Sequence, residues 1–542
     1  MVPSPVQFTV GEVHEALART RPDQDCLIFR ETRLTWNDVT RRTRQFANFL
    51  RSHDLGCRRE RQDLLPSESG QDHLAIYLHN GNEYLEAMLG AFKGRVAPFN
   101  VNYRYVTEEL TYLLTDARAS AIVFHSRFAP TLEAVRDSVP SLRVLIQVDD
   151  DSGHPLVPGA VWYEDALASA SSEPPPPASP DDLYILYTGG TTGMPKGVMW
   201  RQADALVECF GGSRTATTIE EFVAAATGRR AMIAPPFMHG AGHWVSFSTW
   251  NAGGTVIVPS VPERLDPHDV WSIVERESVD FVLIVGDAFA RPLVDELRRH
   301  HHRLDSLAVL LSGGASLSAH LKAELLDLLP HAMIIDGLGS SEAGGQLTQV
   351  SASGDAGTGL FPLAANSHVL SENLDAVLDP GHEGLGWLAK SGRLALGYLG
   401  DPAKTARTYP VIDGVRYVVP GDRAVLTKDG MVDLRGRDSV TINSGGEKIF
   451  AEEVEMAIKP HPDVFDCVVT GRPSERWGQE VVAVVQLRAG SSASADDLRA
   501  EAERHLARYK IPKVFCFVDQ IVRSPSGKAD YRWAASVAVA AP

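Results

Sequence analysis

The chain has 542 residues, long enough for a large core and, on length alone, for roughly three or four domain-sized units. Lys and Arg number 52 against 69 Asp and Glu, a formal charge of -17. That balance argues against a nucleic-acid or anionic-membrane partner, since either needs clustered cations to displace counterions.

Cys26, Cys57, Cys209, Cys467 and Cys516 are odd in number, far apart and without CxxC spacing. Neither a disulfide framework nor a zinc site is therefore expected, and a reducing cytoplasm fits. The first residues, Met1 to Pro5, lack the charged and apolar regions of a signal peptide. No apolar run is long enough to span a bilayer, so no integral membrane contact is expected.

From there the chain reads as alternating helices and strands. Amphipathic stretches at 36–50 and 82–94 lie between apolar runs such as 74–78 and 121–124, the pattern of layered α/β architecture. Residues 57–72 are polar and predict a surface loop. Prolines 174–177 predict an extended connector ahead of a strand at 184–187. Further strands are expected at 254–259, 281–285 and 307–311, each ending near small or polar residues, where open α/β sheets place ligands. After Gly436 the texture changes to a compact unit: helix 451–459, strands 466–471 and 481–487, helix 495–509 and strand 513–518. Ser494 is the predicted N-cap of the second helix, and Leu498, Ala502 and Leu506 form its apolar stripe. At about a hundred residues this unit is of domain size.

The chemistry-bearing segments punctuate this frame. Directly after the strand at 184–187 comes Thr188-Gly189-Gly190-Thr191-Thr192-Gly193-Met194-Pro195-Lys196-Gly197. Its glycines let backbone amides approach an anion, its threonines add hydroxyl donors and Lys196 adds a charge, so it reads as a phosphate-binding loop. The spacing is not that of a Walker A loop, because Pro195 and Gly197 flank the lysine. Three histidines, His300 to His302, adjoin Arg298, Arg299 and Arg303, whose charge opposes a divalent ion; a solvated helix end is expected there. Gly339-Ser340-Ser341-Glu342-Ala343 lacks the closing glycine of a nucleophile elbow.

The loop at 188–197 resembles the signature loop of the adenylate-forming enzymes, the superfamily of acyl-CoA synthetases, firefly luciferase and peptide-synthetase adenylation domains, with Gly189 replacing a serine. Other segments resemble that family's motifs in family order, from about Trp36 to Lys528. Asp336-Gly337-Leu338-Gly339-Ser340-Ser341-Glu342 resembles Tyr-Gly-x-Thr-Glu, which implies Glu342 as the magnesium-associated carboxylate and Ser341 as the hydroxyl near the α-phosphate. Leu338 stands for the usual tyrosine beside adenine; the bland alternative is that Glu342 starts a helix with a favourable charge-dipole interaction. Asp422 at the end of Tyr417-Val418-Val419-Pro420-Gly421-Asp422, and Arg437 in Arg435-Gly436-Arg437, are implied as ribose contacts. Ser439 or Asp438 is the implied hinge. Gly445 and Gly446 resemble the glycine loop that approaches the pantetheine arm of CoA. Gly313, Gly314 and Ala315 resemble the segment against adenine, His239 the residue bordering the carboxylate, and Lys528 in Ser524-Pro525-Ser526-Gly527-Lys528 the catalytic lysine.

The resemblance implies an α/β fold: a large multi-subdomain N-terminal adenylate-forming domain, residues 1–436, and a small mobile α+β C-terminal domain, 437–542. It implies an acid-thiol ligase using ATP, Mg2+ and CoA, in which an acid is converted through acyl-AMP to acyl-CoA with release of AMP and pyrophosphate. An acyl-AMP ligase serving a carrier protein and a non-catalytic nucleotide-binding homologue are the alternatives. Residues 98–105, 187–200 and 443–455 look most like actinobacterial fatty-acid ligases, including relatives acting on steroid side-chain acids, so a long or bulky hydrophobic acid is expected. His243, Trp244 and Phe247 either line its pocket or pack as core. Partners are limited to these small molecules and, as self-association, a homodimer.

Overall fold

Strands dominate the frame of the computed structural model, which describes residues 7–188, 194–444 and 447–541. Among the described residues they form four sheets. In one eight-stranded sheet the spatial order is Gly344–Ser351, Met333–Ser340, Val309–Gly313, Phe281–Ile284, Arg230–Ile233, Thr255–Val258, Asp25–Phe29, Thr32–Thr35. Its inner neighbours run parallel and an antiparallel strand closes each edge. A second sheet of eight runs from Gly397–Tyr398 through Lys196–Arg201, Leu183–Thr188, Ala97–Asn100, His73–Tyr77, Ala119–His125 and Val144–Val148 to Ala160–Trp162. His73–Tyr77 and Ala119–His125 are buried at every position, as parallel strands covered on both faces must be.

Helices Trp36–Ser52, Asn82–Lys93 and Gly240–Asn251 contribute Phe46, Leu89 and Trp250 to one buried apolar cluster. The same cluster takes Leu27 and Val256 from the first sheet and Leu74 and Ile76 from the second, so these helices join the two sheets. The first of them begins sharply because Thr35 and Asp38 form a reciprocal capping box. None of the helices among the described residues is long and apolar enough to cross a membrane.

A third, seven-stranded antiparallel sheet takes the chain from Leu360–Pro362 to Met431–Arg437. The 3-10 turn Asp438–Val440 then leads into the fourth sheet, ordered Glu447–Phe450, Thr441–Ser444, Gly478–Leu487, Val464–Ser474, with Val514–Val518 parallel to Gly478–Leu487. Helices Ala451–Ile458 and Ala495–Glu503 cover it through Val454, Ile458, Leu498 and Ala502. Tyr531–Ala540 covers it through Ala534 and Ala538.

Ser494 caps its helix as expected, its Oγ accepting from the Asp497 amide at 3.3 Å. That helix is shorter than its apolar stripe predicts, ending at Glu503 instead of running to 509. Leu506 still packs against the core, but Ala507 is extended and a 3-10 turn, Arg508–Lys510, delivers the chain to Pro512, which disfavours helical backbone before it. All five cysteines are free thiols.

Candidate active site

Two asparagines hold together the strand ends where the sheets meet. Asn100 donates to the carbonyls of Tyr187 (2.8 Å) and Met238 (2.7 Å) and accepts from the Tyr187 amide at 2.8 Å. Asn80 donates to the Pro235 carbonyl at 2.9 Å and accepts from the Phe237 amide at 2.6 Å. Backbone groups that no sheet ladder could pair are thereby satisfied, and the segment bearing His239 is fixed beside the end of strand Leu183–Thr188. Thr188 faces Lys196 across an antiparallel pair. Gly190, Thr191 and Thr192, with Gly189 and Gly193, lie outside the described residues. Lys196 is anchored: its Nζ is 3.3 Å from Asp116 Oδ1, and the Tyr187 hydroxyl donates to the other carboxylate oxygen at 2.8 Å. A hydrogen bond with Tyr112, together with Asp116, raises the lysine pKa.

Gly313, Gly314 and Ala315 follow the carboxyl end of strand Val309–Gly313, whose last residue pairs with Gly337. Gly314 has φ +90°, and a side chain there would meet Lys528 Cε at 3.7 Å. The lysine stem thus runs over this glycine. Asp336 sits in the neighbouring strand with its carboxylate committed to Lys322, and Leu338 packs against the core of the third sheet.

Ser341, Glu342 and Ala343 form the turn between strands Met333–Ser340 and Gly344–Ser351, so Glu342 tips a hairpin and does not start a helix. Several groups immobilise that turn. Trp200 Nε1 donates to the Ser341 carbonyl at 2.8 Å, and Tyr398 donates its hydroxyl to Glu342 Oε1 at 2.8 Å. Lys390 donates to the carbonyls of Ala343 (2.8 Å) and Gly345 (2.6 Å) while pairing with the buried Glu208 at 2.6 Å. No motif marks Trp200, Tyr398, Lys390 or Glu208; the only signal was a charged residue inside an apolar run. Among the described residues, no three His, Cys, Asp or Glu ligand atoms converge at Glu342. A lone carboxylate fits Mg2+, which keeps waters and phosphate oxygens as its remaining ligands, and would not fit a metal needing a protein cage.

Asp422, 4% exposed, opens a strand of the third sheet and stands directly opposite Arg437, whose Nε donates to its Oδ1 at 3.2 Å. The charge of Asp422 is the main reason the guanidinium pKa is raised. Lys528 approaches from the fourth sheet's unit. Its turn is closed by the Ser524 amide donating to the Lys528 carbonyl (2.9 Å) and is pinned by Arg523, which pairs with Asp466 at 2.6 Å. The lysine side chain retains solvent access at the rim of a crowded cleft. Desolvation there, with the Arg437 charge, draws its pKa down to about 8 against the raising pull of Glu342 and Asp422. His239 stands close enough to Lys528 that burial and the lysine charge hold its imidazole near 3; its buried Nε2 has no hydrogen-bond partner. His243 is core: its Nδ1 bonds the Phe237 carbonyl at 2.6 Å, its Nε2 meets the Tyr184 hydroxyl, and Phe247 is buried beside it. Trp244 is partly buried and donates to Tyr184 at 2.8 Å. Gly445 and Gly446 lie outside the described residues; Ser444 and Glu447 pair across antiparallel strands.

Across the seam between the fourth sheet's unit and the rest, Lys459 Nζ lies 3.2 Å from Asp287 Oδ2 and Arg488 lies 3.6 Å from Asp295. Gly527, at φ +75°, rests on Ala288 and Phe289 of the same helix, Gly286–Arg299.

Residues 14–399 match the family described as AMP-binding enzyme, and residues 453–528 match the AMP-binding enzyme C-terminal domain. The chain belongs to the AMP-binding enzyme family. This AMP-binding enzyme is 52% identical over 541 residues to a Mycobacterium avium protein named medium-chain acyl-CoA ligase Mig, with 98% of each chain covered. It is 39% identical over 547 residues to a Mycolicibacterium smegmatis protein named medium/long-chain-fatty-acid-CoA/3-oxocholest-4-en-26-oate-CoA ligase, covering 98% of this chain and 96% of the other. The crystal structure of the anthranilate CoA ligase AuaEII with anthranoyl-AMP superposes with a TM-score of 0.84 over 99% of both chains at 20% identity, a likeness of fold. The large N-terminal and smaller C-terminal domains expected from the sequence are thus the AMP-binding enzyme fold.

Proposed function

We propose that this AMP-binding enzyme is an ATP-dependent acyl-CoA ligase for a hydrophobic carboxylic acid. The observation that carries the proposal is the convergence, on one cleft, of Lys528 from the C-terminal unit with Gly314, Glu342 and the Asp422–Arg437 pair of the large domain. Such a cleft suits a nucleotide and an acid held in line. The acid's carboxylate oxygen attacks the α-phosphorus and pyrophosphate leaves; the CoA thiol, giving up its proton, then attacks the acyl carbonyl and AMP leaves.

In this reading Asp422 accepts the two ribose hydroxyls while Arg437 holds its carboxylate in place. The 188–197 segment, with Thr188, Gly190, Thr191, Thr192 and Lys196, takes the terminal phosphates. Gly313, Gly314 and Gly337, beside the small Ala315, border the adenine slot with little side chain of their own, and Leu338 and the strand of Asp336 border it too. Ser341 offers a hydroxyl to the α-phosphate, and neutral His239 borders the acid carboxylate. Glu342 would hold Mg2+, which supplies charge neutralisation on the phosphates when bound. Lys528 places a cation on the oxygens that gain charge during adenylation. The domain boundary is proposed at 436/437 with the pivot in the turn Asp438–Val440, and the glycines 445 and 446 are proposed to meet the pantetheine arm after rotation. A medium- or long-chain fatty acid or a steroid side-chain acid is the proposed substrate class, on the names of the two relatives. The free thiols of all five cysteines support a cytoplasmic setting.

The test is an assay with MgATP, with and without CoA, over a panel of fatty, aryl and steroid side-chain acids, following AMP and thioester together. Thioester matching AMP, greatest with hydrophobic acids, is the expected outcome. Acyl-AMP that persists in the presence of CoA would move the acceptor to a carrier protein, and no AMP with any acid would defeat the ligase reading.

The ionic seam has its own prediction. Asp287→Asn keeps the oxygen that accepts from the Ser318 amide but loses the charge facing Lys459. Weakening the seam by one or two kcal/mol lowers the population of the closed pose, so acyl-AMP formation is expected to fall by about five- to thirtyfold if that pose becomes the minor one. Thiolysis of supplied acyl-AMP should be unaffected; equal losses in both half-reactions would contradict a seam that serves adenylation alone.

A further inference from the structure

A second group of ligating side chains lies at the other end of the helix that meets the C-terminal unit. Helix Gly286–Arg299 carries Glu296 in its last turn, on the order of 14 Å along the axis from Asp287. The chain leaves the helix in extended conformation through His300 and His302, while His268 stands in the first turn of the adjacent helix Pro267–Arg276. Three imidazoles converge on a single carboxylate oxygen: Glu296 Oε1 lies 2.8 Å from His268 Nδ1, 2.9 Å from His300 Nδ1 and 3.5 Å from His302 Nε2. Ligand atoms of His268, Glu296 and His300 all fall within 4.8 Å of one another. Donors at 2.0–2.2 Å from a shared ion are separated by at most about twice that distance, so these three need only small side-chain adjustments to share one.

The arginine charges that argued against a divalent ion in the sequence are largely engaged elsewhere. Arg298 pairs with Glu324 at 2.9 Å and Arg303 with Glu275 at 2.8 Å. His268 and His300 are well exposed, whereas Glu296 is largely buried, so the carboxylate is fixed and the imidazoles can turn toward an ion arriving from solvent.

We propose that His268, Glu296 and His300 form a surface site for a borderline divalent transition ion of the Zn2+ class, with His302 or water as fourth ligand. Two imidazoles and one carboxylate are the donor set such ions take, and a poor one for Mg2+ or Ca2+. The ion ties the start of one helix to the end of the next and stiffens the element on which the C-terminal unit rests. It takes no part in the ligase chemistry, and the site stands whether or not the ligase reading does. The Nδ1 atoms of His268 and His300 now face Glu296 Oε1, so an ion takes the place of those contacts when it is bound.

The experiment uses the full chain without an affinity tag, stripped with chelator and kept in millimolar Mg2+. Co2+ is titrated by its visible absorption and Zn2+ by calorimetry, beside a thermal melt with and without Zn2+. One equivalent is expected to bind, with a rise in melting temperature. His268→Ala and His300→Ala, both at exposed positions, should each weaken binding by at least about tenfold and abolish the thermal shift. His301→Ala, outside the cluster, should change neither. Absence of binding overturns the proposal, as does binding that survives both His268→Ala and His300→Ala or that falls equally in His301→Ala.

Discussion

Lys528→Ala is expected to reduce acyl-AMP formation by about a hundred- to a thousandfold, the usual cost of removing one preorganised donor aimed at developing charge. Thiolysis of supplied acyl-AMP should persist at close to the parent rate, because the lysine is proposed to leave before CoA enters. A merely structural role predicts equal losses in both half-reactions, yet the turn at 524–528 is held by Arg523, Asp466 and backbone bonds, none of which the substitution removes. The pH profile supplies a second readout. With the ammonium drawn down to about 8, it is charged below that pH and lost above it, so adenylation should decline as pH rises through about 8. A free lysine would hold its charge to near 10.4. Lys528→Arg, which stays charged, should remove that alkaline limb even if its rate is low. A Lys528→Ala enzyme that adenylates normally would end the proposed mechanism.

The second large effect is on stability. Lys390 and Glu208 are almost wholly inaccessible, with side-chain exposures of 4% and 0%. Lys390→Met removes a charge that Glu208 faces and strips the donor from the Ala343 and Gly345 carbonyls. Breaking a buried pair from one side costs about 3–5 kcal/mol, and the lower end applies here because Arg214 still pairs with Glu208 at 2.7 Å. Lys390→Met/Glu208→Leu should recover much of the loss, since two apolar groups leave no buried charge unmatched. Urea unfolding, read as a change in midpoint at constant slope, separates these outcomes. A single variant within 1 kcal/mol of the parent would refute this account of the pair. Adenylation should suffer beyond the stability loss, because the turn carrying Glu342 rests on the same lysine.

What the sequence revealed and what it hid follow from the same physics. The loops with Lys196, Glu342, Asp422 and Lys528 stand out in the sequence because the phosphate and sugar recognition proposed for them restricts residue type at short, fixed spacing. Strands such as His73–Tyr77 are legible because burial on both faces demands an unbroken apolar run. Lys390 is invisible because its partners lie 182 and 47 residues away, a separation no local pattern encodes. Asn80 and Asn100 serve backbone carbonyls and amides, which every sequence possesses. Helix Tyr531–Ala540 went unread because alanines 534 and 538 make a faint stripe, and helix Ala495–Glu503 was overextended because Leu506 prolongs the stripe beyond the helix that made it. Equally hidden from local pattern are the partners of two arginines beside the histidine tract, since Arg298 pairs with Glu324 and Arg303 with Glu275.

The contacts that hold Lys528's unit over the cleft, Lys459 to Asp287 and Arg488 to Asp295 with one glycine resting on Ala288 and Phe289, have a thermodynamic consequence. Separating ions exposes groups that water welcomes, whereas parting two greasy faces would carry a large heat-capacity penalty. The proposed rotation is therefore expected to cost little free energy, and its balance point should drift with ionic strength: dilute buffer would favour the proposed adenylating pose, concentrated salt the proposed thiol-accepting one.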